Sequence, residues 1–343
     1  MFFFADFATS REKYSSQMLI HPVTHPLNAS VRVPGSKSLT NRALLIAALA
    51  EGQTRIENAL FSDDSRYFAA ALQTLGFDLR LDENAKTMTV TGLDGHIPAE
   101  RAELFIGNAG TAARFLSAFL TLGHGQYSLD GEPRMRERPI GDLVETLEAL
   151  GAVIQSTNLQ IENRKLICPP ILIHASGLPG GRASIAGDIS SQFLSALLMV
   201  APYAKNPVEL SLSTELNSKP YVEMTLAIMA EFGLTVERRG CEQFTVRAGR
   251  YRAQERYIVE SDASAASYFF AAPLICGGTV RVENISRQSK QGDIAFLDVL
   301  RQMGATIEET DNCILVRGHP PLRGLDVDLR DIPDTAQTMA AIA

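Results

Sequence analysis

Tryptophan is absent from this 343-residue chain, and cysteine occurs four times, at Cys168, Cys241, Cys276 and Cys313. No two of these cysteines form a C-x-x-C pair, and the six histidines make no H-E-x-x-H or comparable ligand set. A disulfide framework and a metal site are therefore not expected, and a reduced, cytoplasmic setting is the simpler reading. Basic charge is also scarce. The 32 Lys and Arg stand against 39 Asp and Glu, a net charge of −7, which argues against a nucleic-acid partner. A small anionic ligand stays open, because a local Arg and Lys cluster acts within an acidic surface. Apolar runs are short. ALLIAALA (43–50) and FLSALLMVAPYA (193–204) fall well below the ~20 residues of a membrane-spanning helix. The start MFFFADFATSREK lacks a basic n-region and is not read as a signal peptide. Residues 1–17 are expected to be a loosely ordered extension.

What is present is a repeat. Four segments share a helix closing near a Gly, a short strand, a polar turn and a second strand. They are AAALQTLGFDLRLDENAKTMTVTG, LVETLEALGAVIQSTNLQIEN, LAIMAEFGLTVERRGCEQFTVRAG and FLDVLRQMGATIEETDNCILVRG. Their glycines, Gly76, Gly151, Gly233 and Gly304, suit the left-handed position that closes a helix. They recur about every 75 residues, too long for a solenoid and suited to internal duplication. Phe77, Leu79 and Leu81 alternate with polar residues, so such strands bury one face. The helices ALLIAALA, FLSALLMV and SYFFAAPLI show little polar face; they are expected to be buried, with sheets outside them. After the fourth unit, DVDLRDIPDTAQTMAAIA reads as a strand, a turn at Pro333 and a helix, so the chain is expected to end inside a fifth unit.

Helix starts carry the candidate chemistry. In PGSKSLTNRALL, Ser38 and Arg42 lie four apart on one helix face and Lys37 precedes them. Free N–H groups, the positive dipole end and two cations make an anion site; the alternative is that Ser38 or Thr40 only caps the helix. GNAGTAARFL places Gly110 where a backbone amide can approach a ligand closely. GDISSQFL offers Ser190, Ser191 and then Gln192 at another helix start. SKPYVEMTL adds Ser218, Lys219 and Tyr221. In GEPRMRERPIGDL, Arg134, Arg136 and Arg138 alternate, and an extended segment would point them the same way. Asp334 follows Pro333 at a last helix start, either as a cap or as an acceptor for a substrate hydroxyl. A small substrate with several anionic groups is the reading these share.

Taken together, PGSKSLTNRALL, GNAGTAARFL, GEPRMRERPIGDL, GDISSQFLSALLM, SKPYVEMTL, ESDASAASYF, QGDIAFLDVLRQMGA and DIPDTAQT closely resemble the EPSP synthase family, in that family's order from about Leu19 to Ala343. The resemblance implies an α/β fold, a two-lobed inside-out α/β barrel of repeated βαβαββ units. Residues 18–34 would supply a strand to lobe two, residues 35–260 a complete lobe one, and residues 261–343 an incomplete lobe two. Pro34–Gly35 and Glu260–Ser261 would be hinges. It also implies transfer of an enolpyruvyl group from phosphoenolpyruvate to the 5-hydroxyl of shikimate 3-phosphate, with release of phosphate and no cofactor, by a monomer. Carried over by position, Ser38 and Arg42 would hold shikimate 3-phosphate, with Ser190, Ser191 and Ser218 around its phosphate. Lys37 would touch both substrates and Gln192 would bridge them. Gly110, Arg138 and Arg114 would face phosphoenolpyruvate, Tyr221 would pack at the shikimate ring, and Asp334 would accept a proton.

Departures accompany the match. The family's K-E-[ST]-D-R and D-H-R segments and its late Lys are not in this chain, so the 343 residues alone are expected to have little or no activity and at most to bind shikimate 3-phosphate. Phe115 stands where several relatives have Pro, which bears on the response to glyphosate; Gly110 is kept. A UDP-sugar enolpyruvyl transferase is the remaining alternative, but it carries a reactive Cys where this chain has PRMRERP.

Overall fold

A computed structural model describes residues 22–161, 164–319 and 321–343; the extension expected at 1–17 lies outside them. The chain opens with β1 (Leu27–Arg32), α1 (Lys37–Leu49), β2 (Glu51–Glu57), α2 (Asp63–Thr74), β3 (Leu79–Asp82) and β4 (Thr87–Leu93). A second unit follows as β5 (Arg101–Phe105), α3 (Gly110–Leu120), β6 (His124–Asp130), α4 (Gly141–Ala149), β7 (Val153–Ile161) and β8 (Arg164–Ser176). The third is β9 (Gly181–Ile185), α5 (Ser191–Val200), β10 (Val208–Leu212), α6 (Lys219–Glu231), β11 (Glu237–Arg239) and β12 (Gln243–Val246). The fourth is β13 (Tyr257–Ile258), α7 (Ala263–Cys276), β14 (Gly278–Glu283), α8 (Phe296–Met303), β15 (Thr306–Glu309) and β16 (Cys313–Gly318), before a final helix α9 (Ala336–Ile342).

The units make four mixed four-stranded sheets with one common plan: β5-β6-β8-β7, β9-β10-β12-β11, β13-β2-β4-β3 and β1-β14-β16-β15. The first two strands of each are parallel, and the hairpin strands join antiparallel. Gly76, Gly151, Gly233 and Gly304, which close α2, α4, α6 and α8, have φ of 94°, 94°, 92° and 110°. That is the left-handed conformation which ends a helix and turns it into the next strand.

Two strands have exchanged places. β1 directly precedes α1 yet pairs with β14, while β13 directly precedes α7 yet pairs with β2. The chain therefore crosses between sheets twice, and the crossings are tied together. Ser36 N donates to Glu260 O and Asp262 N to Pro34 O, each at 2.8 Å, and Gly35 bridges Ser261. A Cβ on Gly35 would lie 1.7 Å from the Asn58 carbonyl oxygen.

Burial follows the apolar pattern. Every residue of α1 from Leu39 onward and every residue of α3 is buried, as is α5 apart from Gln192. One cluster of buried side chains runs from Leu39 to Val259; a second joins Val33 to residues from Ala263 to Ile342. Two expectations fail here. The apolar α7 leaves Tyr268, Phe269 and Ile275 exposed, because it packs on β14, β16 and α9 from one side and no described residue covers the other. The strand expected after residue 324 is also not formed. Leu325, Val327 and Leu329 do alternate and lean on the second cluster, but none of the described strands pairs with them, and alternation without a ladder partner is not a strand.

Gly35→Ala puts a methyl group into backbone at the crossing. It should destabilise the protein by about 1–3 kcal/mol, read as a lower urea midpoint; an unchanged midpoint would show that the Asn58 loop yields freely.

Candidate active site

Arg42 lies at the centre of the first cluster, 1% exposed. Its Nε donates to Thr225 Oγ1 at 2.7 Å, Nη1 to Ser38 O at 3.1 Å, and Nη2 to Ser195 Oγ at 3.3 Å and Tyr221 O at 3.2 Å. The guanidinium also sits 5.4 Å from the centre of the Phe115 ring. One cation thus fastens the starts of α1 and α6 to α5 and α3. Neutral oxygens accept from four of its five N–H groups; among the described residues no carboxylate pairs with it and one N–H on Nη1 has no acceptor. Burial lowers its pKa to about 10.

The cap of α1 is neither Ser38 nor Thr40. Ser36 Oγ accepts from Leu39 N, and Thr40 Oγ1 instead donates to Ser36 O and accepts from Leu60 N. Ser38 is left without a capping duty, and Lys37 is exposed. The Lys37 backbone N–H donates to Asp262 Oδ2 at 3.1 Å, while Asp262 Oδ1 caps α7 through Ala265 N at 2.8 Å. One carboxylate therefore sits on two helix N-termini, the placement those termini favour for an anion.

A second basic group forms at α3. Arg114, 7% exposed, donates to Gly110 O at 3.1 Å and Pro139 O at 3.3 Å, over the Phe193 ring at 6.0 Å. Burial, with the nearby charge of Arg138, lowers its pKa to about 10. Arg138 Nη1 donates to Asn108 O at 2.9 Å, and a Cβ on Gly110 would stand 2.3 Å from Arg138 Nη2. Glycine here makes room for the guanidinium.

The expected row of three arginines is not extended. Met135–Glu137 form a 3-10 turn that sends the side chains apart. Arg134 pairs with Glu137 at 2.7 Å and Arg136 with Asp130 at 2.6 Å, leaving Arg138 as the one of the three without a carboxylate among the described residues. The local alternation of Arg carried no information about Asp130, whose own pKa the Arg136 hydrogen bonds hold down against burial.

At α5, Ser190 Oγ accepts from Gln192 N at 3.3 Å and is the cap; Ser191 is buried and Gln192 half-buried. Ser218 precedes α6 in a left-handed conformation (φ 55°, ψ 44°) that non-glycine residues rarely hold. Its hydroxyl donates to Arg330 O at 3.3 Å rather than capping the helix. A cavity of about 160 Å³ adjoins this turn, but its charges are matched, Lys219 with Glu215 and Arg330 with Asp328, so it holds no surplus for an anion.

Asp334 does not cap α9. It lies in the 3-10 turn Pro333–Thr335 with Oδ2 2.6 Å from the Tyr221 hydroxyl. The same hydroxyl is 3.1 Å from Asp293 Oδ2. Asp293 is a residue that local sequence signals do not mark; it is 3% exposed, and burial, opposed by the Ser264 hydrogen bond and reinforced by the Asp334 charge, raises its pKa to about 6. Burial and the two carboxylates raise the Tyr221 pKa far above the ordinary phenol value. The geometry thus joins Ser38, Arg42, Tyr221 and Asp334 in one linked set and Gly110, Arg114 and Arg138 in another. Lys37, Ser191 and Ser218 have no direct bond to either set among the described residues. Two buried guanidiniums without carboxylates, in a chain of net charge −7, can bind and orient a polyanion.

Known proteins resemble the chain over most of its length. Residues 23–343 match the family model for EPSP synthase (3-phosphoshikimate 1-carboxyvinyltransferase). A 3-phosphoshikimate 1-carboxyvinyltransferase of Nostoc punctiforme is 48% identical over 325 residues, covering 94% of this chain and 75% of that protein. One from Shewanella piezotolerans is 49% identical over 330 residues, covering 96% and 76%. The solved EPSP synthase of Acinetobacter baumannii superposes with a TM-score of 0.75 at 24% identity, over 93% of this chain and 71% of that one, which bears on the fold.

Two outcomes follow from the geometry. Gly110→Ala should displace the flexible Arg138 head and weaken anion binding about tenfold, ~1.4 kcal/mol, with little change in melting temperature; unchanged affinity would show that Arg138 adapts. Asp293 binds its proton more tightly folded than unfolded, so its stabilising contribution is full below about pH 4 and lost as pH rises through about 6. Urea unfolding of Asp293→Asn should therefore gain on wild type between pH 4 and 8 by on the order of 3 kcal/mol.

Proposed function

The chain belongs to the EPSP synthase family, and on that footing we propose how its residues carry the enolpyruvyl group of phosphoenolpyruvate to the 5-hydroxyl of shikimate 3-phosphate. Both substrates are phosphorylated carboxylates. The observation that carries the reading is the pair of buried guanidiniums, Arg42 and Arg114, that no carboxylate in the described chain neutralises.

In this reading Ser38 and the free Nη1 hydrogen of Arg42 engage shikimate 3-phosphate, with Ser190, Ser191 and Ser218 around its phosphate and Tyr221 beside its ring. Gly110, Arg114 and Arg138 face phosphoenolpyruvate, Gln192 lies between the substrates, and Lys37 reaches both. Asp334 accepts the 5-hydroxyl proton as that oxygen bonds to C2 of phosphoenolpyruvate and a proton arrives at C3. The tetrahedral adduct then loses a proton from C3 as the C2–oxygen bond to phosphate breaks, which restores the double bond and releases phosphate. Positioning two reactants and matching their charge supplies most of the acceleration.

The finer architecture belongs to the same reading: two lobes of an inside-out barrel, residues 35–260 forming one and residues 18–34 with 261–343 contributing to the other. The two buried clusters and the paired crossings at Pro34–Gly35 and Glu260–Ser261 support it. The Tyr221–Asp334 hydrogen bond already spans the two lobes of this reading, so lobe closure would hold Asp334 against substrate on lobe one.

The purified product of the whole gene, given both substrates, should release phosphate, and shikimate 3-phosphate at 100 times its Kd should stabilise it by ~2.7 kcal/mol. Asp334→Asn should lower kcat at least ~100-fold while leaving calorimetric binding of shikimate 3-phosphate within about threefold. Binding without turnover would reduce the protein to a shikimate 3-phosphate binder; the absence of both would sink the reading.

A further inference from the structure

Two carboxyls and one phenol meet where the two buried clusters touch, and they share few protons. The Tyr221 hydroxyl lies 2.6 Å from Asp334 Oδ2 and 3.1 Å from Asp293 Oδ2. Burial keeps it protonated, so it has one hydrogen for two acceptors. Asp293 sits in the 3-10 turn Gly292–Ala295. Ser264 Oγ donates to its Oδ2 at 2.8 Å, and its Oδ1, buried, has no partner.

The surroundings favour a neutral acid. Asp293 is faced by Tyr221 from α6, by Asp334 from the last turn, and by Asp262 from the cap of α7. On α8, Asp298 is taken by Arg287 and Arg301; on α6, Lys219 is taken by Glu215. No cation forms an ion pair with Asp293 among the described residues. Ionised, it would bury a bare oxygen beside two acidic neighbours. Neutral, it has a hydrogen to give.

We propose that Asp293 is a positioning residue: its neutral carboxyl donates from Oδ2 to Tyr221 Oη, which turns the phenol hydrogen onto Asp334 and fixes that carboxylate to face the substrate hydroxyl. The hydrogen bonds then run one way, Ser264 to Asp293 to Tyr221 to Asp334, with each hydrogen used once and each remaining on its own oxygen. Ionising Asp293 removes the donor to the phenol, both carboxylates compete for one hydrogen, and Asp334 loses its fixed partner. The inference rests on Asp334 being the proton acceptor.

The test uses Asp293→Ala and Asp293→Asn in the product of the whole gene, with kcat, both KM values and calorimetric binding of shikimate 3-phosphate measured from pH 5 to 8. Asparagine keeps a donor for Tyr221 and cannot ionise. Asp293→Ala should lower kcat roughly 30-fold with the phosphoenolpyruvate KM within about twofold, and Asp293→Asn should restore most of that loss. Wild type should lose kcat as Asp293 ionises with rising pH; Asp293→Asn should lack that limb. In a Tyr221→Phe background, Asp293→Ala should add less than about threefold, because the link it acts through is gone. A wild-type kcat in Asp293→Ala, the same alkaline limb in Asp293→Asn, or full additivity with Tyr221→Phe would each overturn the assignment. If Asp293→Ala does not fold, Asp293→Ser serves in its place and the same three outcomes decide. Turnover by wild type with an undiminished Asp334→Asn rate would instead remove the Asp334 role, and this inference with it.

Discussion

A single buried guanidinium organises the first cluster. Arg42 is held by oxygens from α1, α5 and α6 and lies over a ring of α3, so four helices of three repeat units converge on one charge. Taking a cation out of water is costly unless hydrogen bonds satisfy it, and here neutral oxygens do so without cancelling the charge. The helix starts are fixed in mutual register by the same contacts, which is why groups distant in sequence can act on one ligand. The charge left uncancelled is what the proposed site would offer an anionic substrate.

The second constraint is where the two clusters touch. Tyr221 uses its carbonyl to hold Arg42 and its hydroxyl to reach Asp293 and Asp334. One residue therefore connects the cation centre of the first cluster with the acidic pair of the second. Lys290, half-buried between Glu231 at 2.7 Å and Glu260 at 2.8 Å, ties α6 to the crossing in the same region. A shift of one cluster against the other must disturb both the Tyr221 contacts to Asp293 and Asp334 and its hold on Arg42, so under the proposed function substrate binding and closure would be coupled mechanically.

Much of this was legible in the sequence where the cause is local. The glycines closing α2, α4, α6 and α8 announce a backbone conformation that only their own φ requires, and the repeat could be read from them. The apolar runs of α1 and α5 likewise named buried elements, whereas that of α7 did not. Features set by distant partners were not legible. Arg134 and Arg136 look equivalent to Arg138 until Asp130 and Glu137 take them, and Leu325 to Leu329 alternate as a strand would but have nothing to pair with. Ser36, immediately before the first helical residue, takes the cap in place of Ser38 and Thr40. Asp293 gives no local sign at all: its environment is built by Ser264, Tyr221 and Asp334, which lie 29, 72 and 41 positions away. Those three neighbours exist only after folding.

The exchange of β1 and β13 has a consequence in time. On a chain made from its N-terminus, β1 is among the first segments to emerge, yet its partner begins at Gly278, and β2 waits for Tyr257. At the ordinary pace of synthesis those waits are roughly 10–50 s, far longer than a hairpin needs to form. The sheets of the second and third units, β5-β6-β8-β7 and β9-β10-β12-β11, have strands contiguous in the chain and can be complete long before either exchanged strand is docked. Both swapped sheets then close within some twenty residues of each other, so the two halves commit to one another late and almost together, and the edge left open by β2 must stay unpaired without recruiting another chain in the meantime.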